Sequence, residues 1–155
     1  KVLEKSVPFR MFTIMECSHE HGGKLWPHRT HQNGLSVDFM MPLKSNGKAY
    51  YKLDDRGIKH YLLKFDNTGS LEKDPTVKID FDVVATQILQ LNRSAISQGY
   101  RIKKVIIKVE LKDELFASKR GKELKKNEIY IVQSLTKTIN DLHDDHFHVD
   151  FEKTK

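Results

Sequence analysis

Seven of the eight histidines fall into two groups: His19, His21, His28 and His31 near the start of the chain, and His143, His146 and His148 near its end. Neutral imidazole is a common zinc ligand, and a catalytic zinc ordinarily takes three protein ligands and leaves a fourth position for water or substrate. In HFHVDF, polar and apolar residues alternate, so an extended strand presents His146, His148 and Asp150 on one face and Phe147, Val149 and Phe151 on the other. One of the two histidines can then reach a metal ion while the other stays within the same cavity. Taken alone, the pair is better read as a polar strand face that meets only water. The earlier group changes that balance. In THQNGLSVDFMMP, His31 precedes a turn at Gly34, and Asp38 sits in an apolar strand between Val37 and Phe39. Bending the chain back between His31 and Asp38 brings both side chains within reach of one ion.

The segments GGKLWPHRTHQNGLSVDF and HDDHFHVDF resemble the two signature regions of the penicillin-insensitive murein endopeptidases. These belong to the wider metallopeptidase superfamily that includes lysostaphin-like enzymes, D-Ala-D-Ala carboxypeptidases and the hedgehog signalling domain. The two segments cover about 27 of the 155 residues. The resemblance implies one zinc per chain, with His31 and Asp38 as the first and second ligands and His148 as the third. It implies His146 as the catalytic base, and His143 as an additional active-site histidine that donates a hydrogen bond to the developing oxyanion. His28 matches a companion histidine of structural role, and Gly22, Gly23 and Gly34 match loop and turn glycines. The implied activity is zinc-dependent hydrolysis of peptide bonds in peptidoglycan stem or crosslink peptides by a metal-activated water. The implied setting is the bacterial periplasm, the cell envelope or the secreted space. The chain departs from the family in having a single cysteine, Cys17, and in an excursion from Asp54 to Pro75 without a family counterpart. A zinc-stabilised noncatalytic binding module of the same fold is the alternative; His146 and His143, which a minimal metal shell does not need, favour the enzyme.

The elements that must position these residues read as one α+β domain over residues 1–155, a mostly antiparallel central sheet carrying the zinc site with flanking helices. Strands are expected at Phe9 to Met15, Gly34 to Met41 and Tyr50 to Leu53, with Asn46-Gly47 as a hairpin turn. A helix runs to Ser97, capped by Asp82 and ended by Gly99. A strand follows over Tyr100 to Leu111, with Val105, Ile107 and Val109 on one face. Lys112 to Lys125 is a short helix broken at Gly121, and Glu128 to Asn140 begins like a strand and ends like a helix. Asp54 to Pro75 is a surface excursion holding one helical turn or strand. Cys17, after a strand-like run, is read as a packing residue.

Bulk properties narrow the partners. Apolar residues make up 38% and charged residues 31%, interleaved, which excludes disorder. No apolar run approaches the roughly 18 residues of a membrane span, so no integral membrane segment is expected. The net charge of +6, at a pI near 9.3, suits a polyanionic surface such as an anionic cell wall. No recognition-helix pattern, aromatic RNA-binding motif or zinc-finger cysteine spacing is present, so nucleic acid is not an expected partner. The start at Lys1, with no initiator methionine or signal segment, fits a processed or trimmed chain.

Overall fold

Alternating strands build the sheet that carries the histidines. In the computed structural model, which describes residues 10–19, 21–25 and 30–154, the strands are β1 (Ile14–Cys17), β2 (Ser36–Met40), β3 (Leu43–Ser45), β4 (Lys48–Tyr50), β5 (Ser70–Leu71), β6 (Asp74–Ile79), β7 (Tyr100–Ile106) and β8 (His146–Lys153). They form two four-stranded antiparallel sheets, ordered β1-β2-β8-β7 and β4-β3-β6-β5. The α+β reading therefore holds, with two sheets in place of one. In the first sheet Asp38 lies opposite His148, Phe39 opposite Phe147 and Met40 opposite His146. Because side chains alternate along a strand, this register gathers the polar residues on one face and the phenylalanines on the other.

The apolar face looks into the core. Phe39, Phe147, Val149 and Val105 pack with Leu43, Val77 and Ile79 of the second sheet. Val84 and Ile88 join them from α1 (Phe81–Ile96), with Leu115 and Leu124 from α2 (Lys112–Ala117) and α3 (Gly121–Lys126). The Phe39 and Phe147 rings stack with centroids 5.4 Å apart. Helix α4 (Lys137–Asp141) leads towards β8, and Thr136 caps it by accepting from the Ile139 amide.

Several expectations shift. The first helix starts earlier than expected, after Asp80, whose side chain makes no capping hydrogen bond; Asp82 lies inside the first turn, where its carboxylate accepts the Arg120 amide at 2.7 Å. Ile107 and Val109 lie beyond the end of β7: the chain turns into a 3-10 helix at Val109–Leu111 once Lys108 donates to the His143 carbonyl. Gly121 starts α3, where a β-carbon would stand 1.7 Å from the Leu115 carbonyl oxygen, so only glycine fits where the two short helices meet. Ile131 makes an isolated parallel bridge to Val105, and α4 follows, as the mixed character of that segment suggests. The Asn46-Gly47 pair forms the two-residue hairpin turn, both residues at positive φ.

The excursion proves to be part of the scaffold. A 3-10 segment, Asp54–Leu62, is followed by β5 and β6, and His60, Leu63 and Phe65 are buried. Phe9 and His28 lie outside the described residues. Replacing the fully buried Phe147 by alanine should destabilise the chain by about 3–5 kcal/mol, because it empties the space behind the strands that carry Asp38 and His148. Denaturant unfolding of Phe147→Ala, with the exposed Lys48→Ala as reference, measures this.

Candidate metal centre

Asp38 and His148 face each other across the β2–β8 pair, and His31 reaches them from the preceding bend, where its backbone takes a left-handed φ of 55°. That bend is seated against the glycine loop: the Gly23 amide donates to the Gln32 carbonyl at 2.9 Å. Gly22 has no β-carbon where one would stand 2.6 Å from the same oxygen. The glycine loop at Gly22 and Gly23 thus holds His31 in place.

Three donor atoms converge. His31 Nε2 lies 3.1 Å from His148 Nδ1 and 3.3 Å from Asp38 Oδ1, and His148 Nδ1 lies 2.7 Å from Asp38 Oδ1. Ligands held about 2.0–2.1 Å from a tetrahedral ion stand about 3.3 Å from one another, which two of these separations match and the third, a hydrogen bond, approaches. All three side chains are buried. His31, Asp38 and His148 therefore form a group that could hold a metal ion.

A second layer fixes the His148 ring. Its Nε2–H donates to Asp150 Oδ1 at 2.7 Å, which turns Nδ1 towards Asp38 and His31. Asp150 is itself held by the Ser36 hydroxyl at 2.6 Å and by Lys104 Nζ at 3.2 Å. A carboxylate behind a ligating imidazole sets the ring's tautomer and raises its basicity. Burial alone would push the His148 pKa down, but the hydrogen bonds to Asp150 and Asp38 lift it to about 9. Burial likewise works to raise Asp38 and Asp150, yet the contacts from His148, joined by His31 at Asp38 and by Ser36 and Lys104 at Asp150, hold both well below the usual carboxylate range.

Beside this group lie His146 and His143, with ring centroids 4.7 Å apart. His146 Nδ1–H donates to Asp145 Oδ1 at 2.6 Å, and the Tyr61 ring meets the His146 ring edge-on at 5.3 Å. His143 Nδ1–H donates to the Ile139 carbonyl at 2.6 Å. Burial, then the neighbouring His146, pushes its pKa down to about 4 against that bond, so His143 is neutral at pH 7. Tyr61 belongs to the 3-10 segment; burial and the nearby Asp38, Glu16 and Asp145 carboxylates raise its hydroxyl pKa, which keeps the proton on. Tyr61 and Met40 also line a groove of about 510 Å³ bounded by β1, with Glu16, Asp54 and Asp55 on its wall.

All five residues singled out as ligands or catalytic groups lie in this one region. Of the first histidine group, His19 and His21 do not join it and are exposed. Cys17 is exposed as well, so the expectation of a packing role fails; β1 is an edge strand and leaves it in solvent. Asp145, Asp150, His60, Tyr61 and Lys104 carry interactions that the sequence reading did not assign, and Ser36, given no chemistry there, supports Asp150. Compared with family models and with curated proteins, the chain matches none.

Metal analysis should find one ion per chain, lost on His31→Ala, Asp38→Ala or His148→Ala. Because His148 in the metal-free chain keeps its proton up to about pH 9, metal binding displaces it, and affinity should fall roughly tenfold per pH unit below that value. Calorimetry in buffers of different ionisation enthalpy measures the released proton.

The same shifts set the pH dependence of metal-free stability. His148, raised from 6.5 to about 9, stabilises fully below 6.5, and that contribution is lost as pH rises to about 9. His143, lowered from 6.5 to about 4, costs stability below 6.5 because the unfolded chain takes up the proton first. Asp38 and Asp150, lowered from 3.8, contribute above that value and lose their contribution in acid. Thermal unfolding with chelator present should therefore show a maximum near pH 6.5, and bound metal should remove the alkaline decline.

Proposed function

We propose that the chain is a zinc-dependent peptidase of the murein endopeptidase kind, cleaving peptide bonds in peptidoglycan stem or crosslink peptides. The observation that carries this reading is the convergence of His31, Asp38 and His148 with two further histidines at their side. The donor set of two imidazole nitrogens and one carboxylate oxygen is that of catalytic zinc sites, which keep a position open. When bound there, zinc lowers the pKa of a coordinated water from about 15.7 towards 7 and polarises the scissile carbonyl.

The chain's own residues supply the rest. His146, with Nδ1–H committed to Asp145, takes the proton of the attacking water at Nε2 and returns it to the leaving amine. His143 does not suit the oxyanion role that the family resemblance implies. Its Nδ1–H is committed to Ile139, so the neutral ring offers only an acceptor at Nε2. The Tyr61 ring meets His146 edge-on and its rotatable hydroxyl keeps its proton, and we assign to that hydroxyl the hydrogen bond to the developing oxyanion. His143 then orients His146 or accepts from a substrate N–H. The groove runs along β1 to Tyr61, whose ring meets His146, and the outer edge of β1 is open among the described residues, a place where an extended peptide can pair by backbone hydrogen bonds. The surplus of 27 basic over 21 acidic residues suits an anionic wall polymer.

His146→Ala should keep its zinc and lose about 10²- to 10⁴-fold in rate, whereas His148→Ala should lose both zinc and activity. Zinc content and turnover measured in the same samples separate the two roles. Incubation with intact peptidoglycan and mass analysis of the released pieces should show cut peptides and intact sugar chains. New sugar ends beside uncut peptides would overturn the substrate class, and stoichiometric zinc with no cleavage would point to the noncatalytic module.

A further inference from the structure

The two histidines of β8 are held in opposite orientations by two different aspartates. Asp150 takes the Nε2–H of His148, and Asp145 takes the Nδ1–H of His146. Asp145 is only 1% exposed. Its Oδ1 meets the His146 ring at 2.6 Å, and its Oδ2 is buried without a hydrogen-bond partner among the described residues. A buried carboxylate oxygen left unpaired is costly, and a fold that keeps one needs a reason. The main chain around it is also tied down: the Asp145 carbonyl accepts the Met41 amide at 3.1 Å and the buried His60 Nε2–H at 3.1 Å.

We propose that Asp145 is a positioning residue that locks His146 as the Nδ1–H tautomer, leaving Nε2 bare, and that His60 holds Asp145 in place through its backbone. A carboxylate can only accept, so the nitrogen facing it must carry the proton, and in a neutral ring the other nitrogen is then the acceptor. The same carboxylate steadies the imidazolium that forms when Nε2 takes a proton. No bond to Asp145 is made or broken; its contribution is geometry and charge. The lock rests on the function proposed above only for its purpose, and its existence can be measured without turnover.

Nitrogen-15 NMR of histidine-labelled, zinc-loaded protein reads the tautomer directly, with His146 assigned through His146→Gln. The wild type should show Nδ1 protonated and Nε2 bare at His146, and Asp145→Ala should move the proton to Nε2 with zinc content unchanged. If Asp145→Ala does not fold, Asp145→Asn, nearly the same size and able to donate as well as accept, should give a mixture of the two forms. On peptidoglycan both variants should lose kcat, by up to about 10²- to 10⁴-fold, while KM stays near the wild-type value. An Nε2–H ring in the wild type, or a wild-type tautomer and kcat in the folded variants, would overturn the lock. A confirmed tautomer shift with no hydrolysis by any form would leave the lock standing and remove the peptidase reading.

Discussion

Everything at the metal group depends on the register of β2 against β8. Asp38 and His148 can share an ion only because they are direct cross-strand partners on the same face. A slip of one residue would send Asp38 into the core and Phe39 into the group of ligands. What forbids the slip is on the other side of the sheet, where Phe39 and Phe147 stack and are buried with Val149. The apolar face thus enforces the alignment that the polar face uses, and the energy that holds the donors together is mostly hydrophobic. The donors themselves, a buried carboxylate and two imidazoles, would otherwise cost stability on being taken out of water.

That cost is met by pairing rather than by exposure. Asp38, Asp145 and Asp150 are all buried, and each meets a histidine on β8 at hydrogen-bond distance. Lys104 closes the series by pairing with Asp150 at the margin of the sheet. In a region of low dielectric these contacts are strong and directional, so they decide which ring nitrogen carries a proton as well as how the rings sit. Of the three, only Asp145 has a fully buried oxygen without a hydrogen-bond partner among the described residues, and it is the one that faces His146 and not His148.

How much of this was legible in the sequence follows from the range of each interaction. The alternation in HFHVDF fixed which side chains share a face, because a strand has period two whatever surrounds it. The glycine-bearing bend between His31 and Asp38 was likewise a local signal. Asp150 lay two positions beyond His148 and so on the same face, although its role as support for the ring needed the structure. Asp145 was hidden by the same rule that exposed the others: neighbours in a strand point opposite ways, but Asp145 sits in the bend before β8 begins and can turn its carboxylate to the adjacent ring. His60 and Tyr61 left no trace, since they reach the site from the 3-10 segment through contacts 85 positions apart in the case of His60 and Asp145. No periodicity encodes such a contact. Asp82 misled because a residue type that often caps a helix here sits inside its first turn, where it serves a distant amide.

The 117 positions between His31 and His148 have a meaning for the chain as a polymer. An ion shared by these two residues would close most of the molecule into a single ring. In the chain-entropy account a permanent link across roughly a hundred residues lowers the freedom of the unfolded state by about 4–5 kcal/mol, the effect for which extracellular proteins of this size commonly rely on disulfides. With one cysteine, this sequence cannot make an internal disulfide of its own. The cation would stand in its place, as a crosslink that can be removed by acid or a chelator and restored without any redox chemistry. A single cut in the connecting segments would then leave the two ends of the chain joined, so resistance to nicking and readiness to react would be governed by the same bound ion.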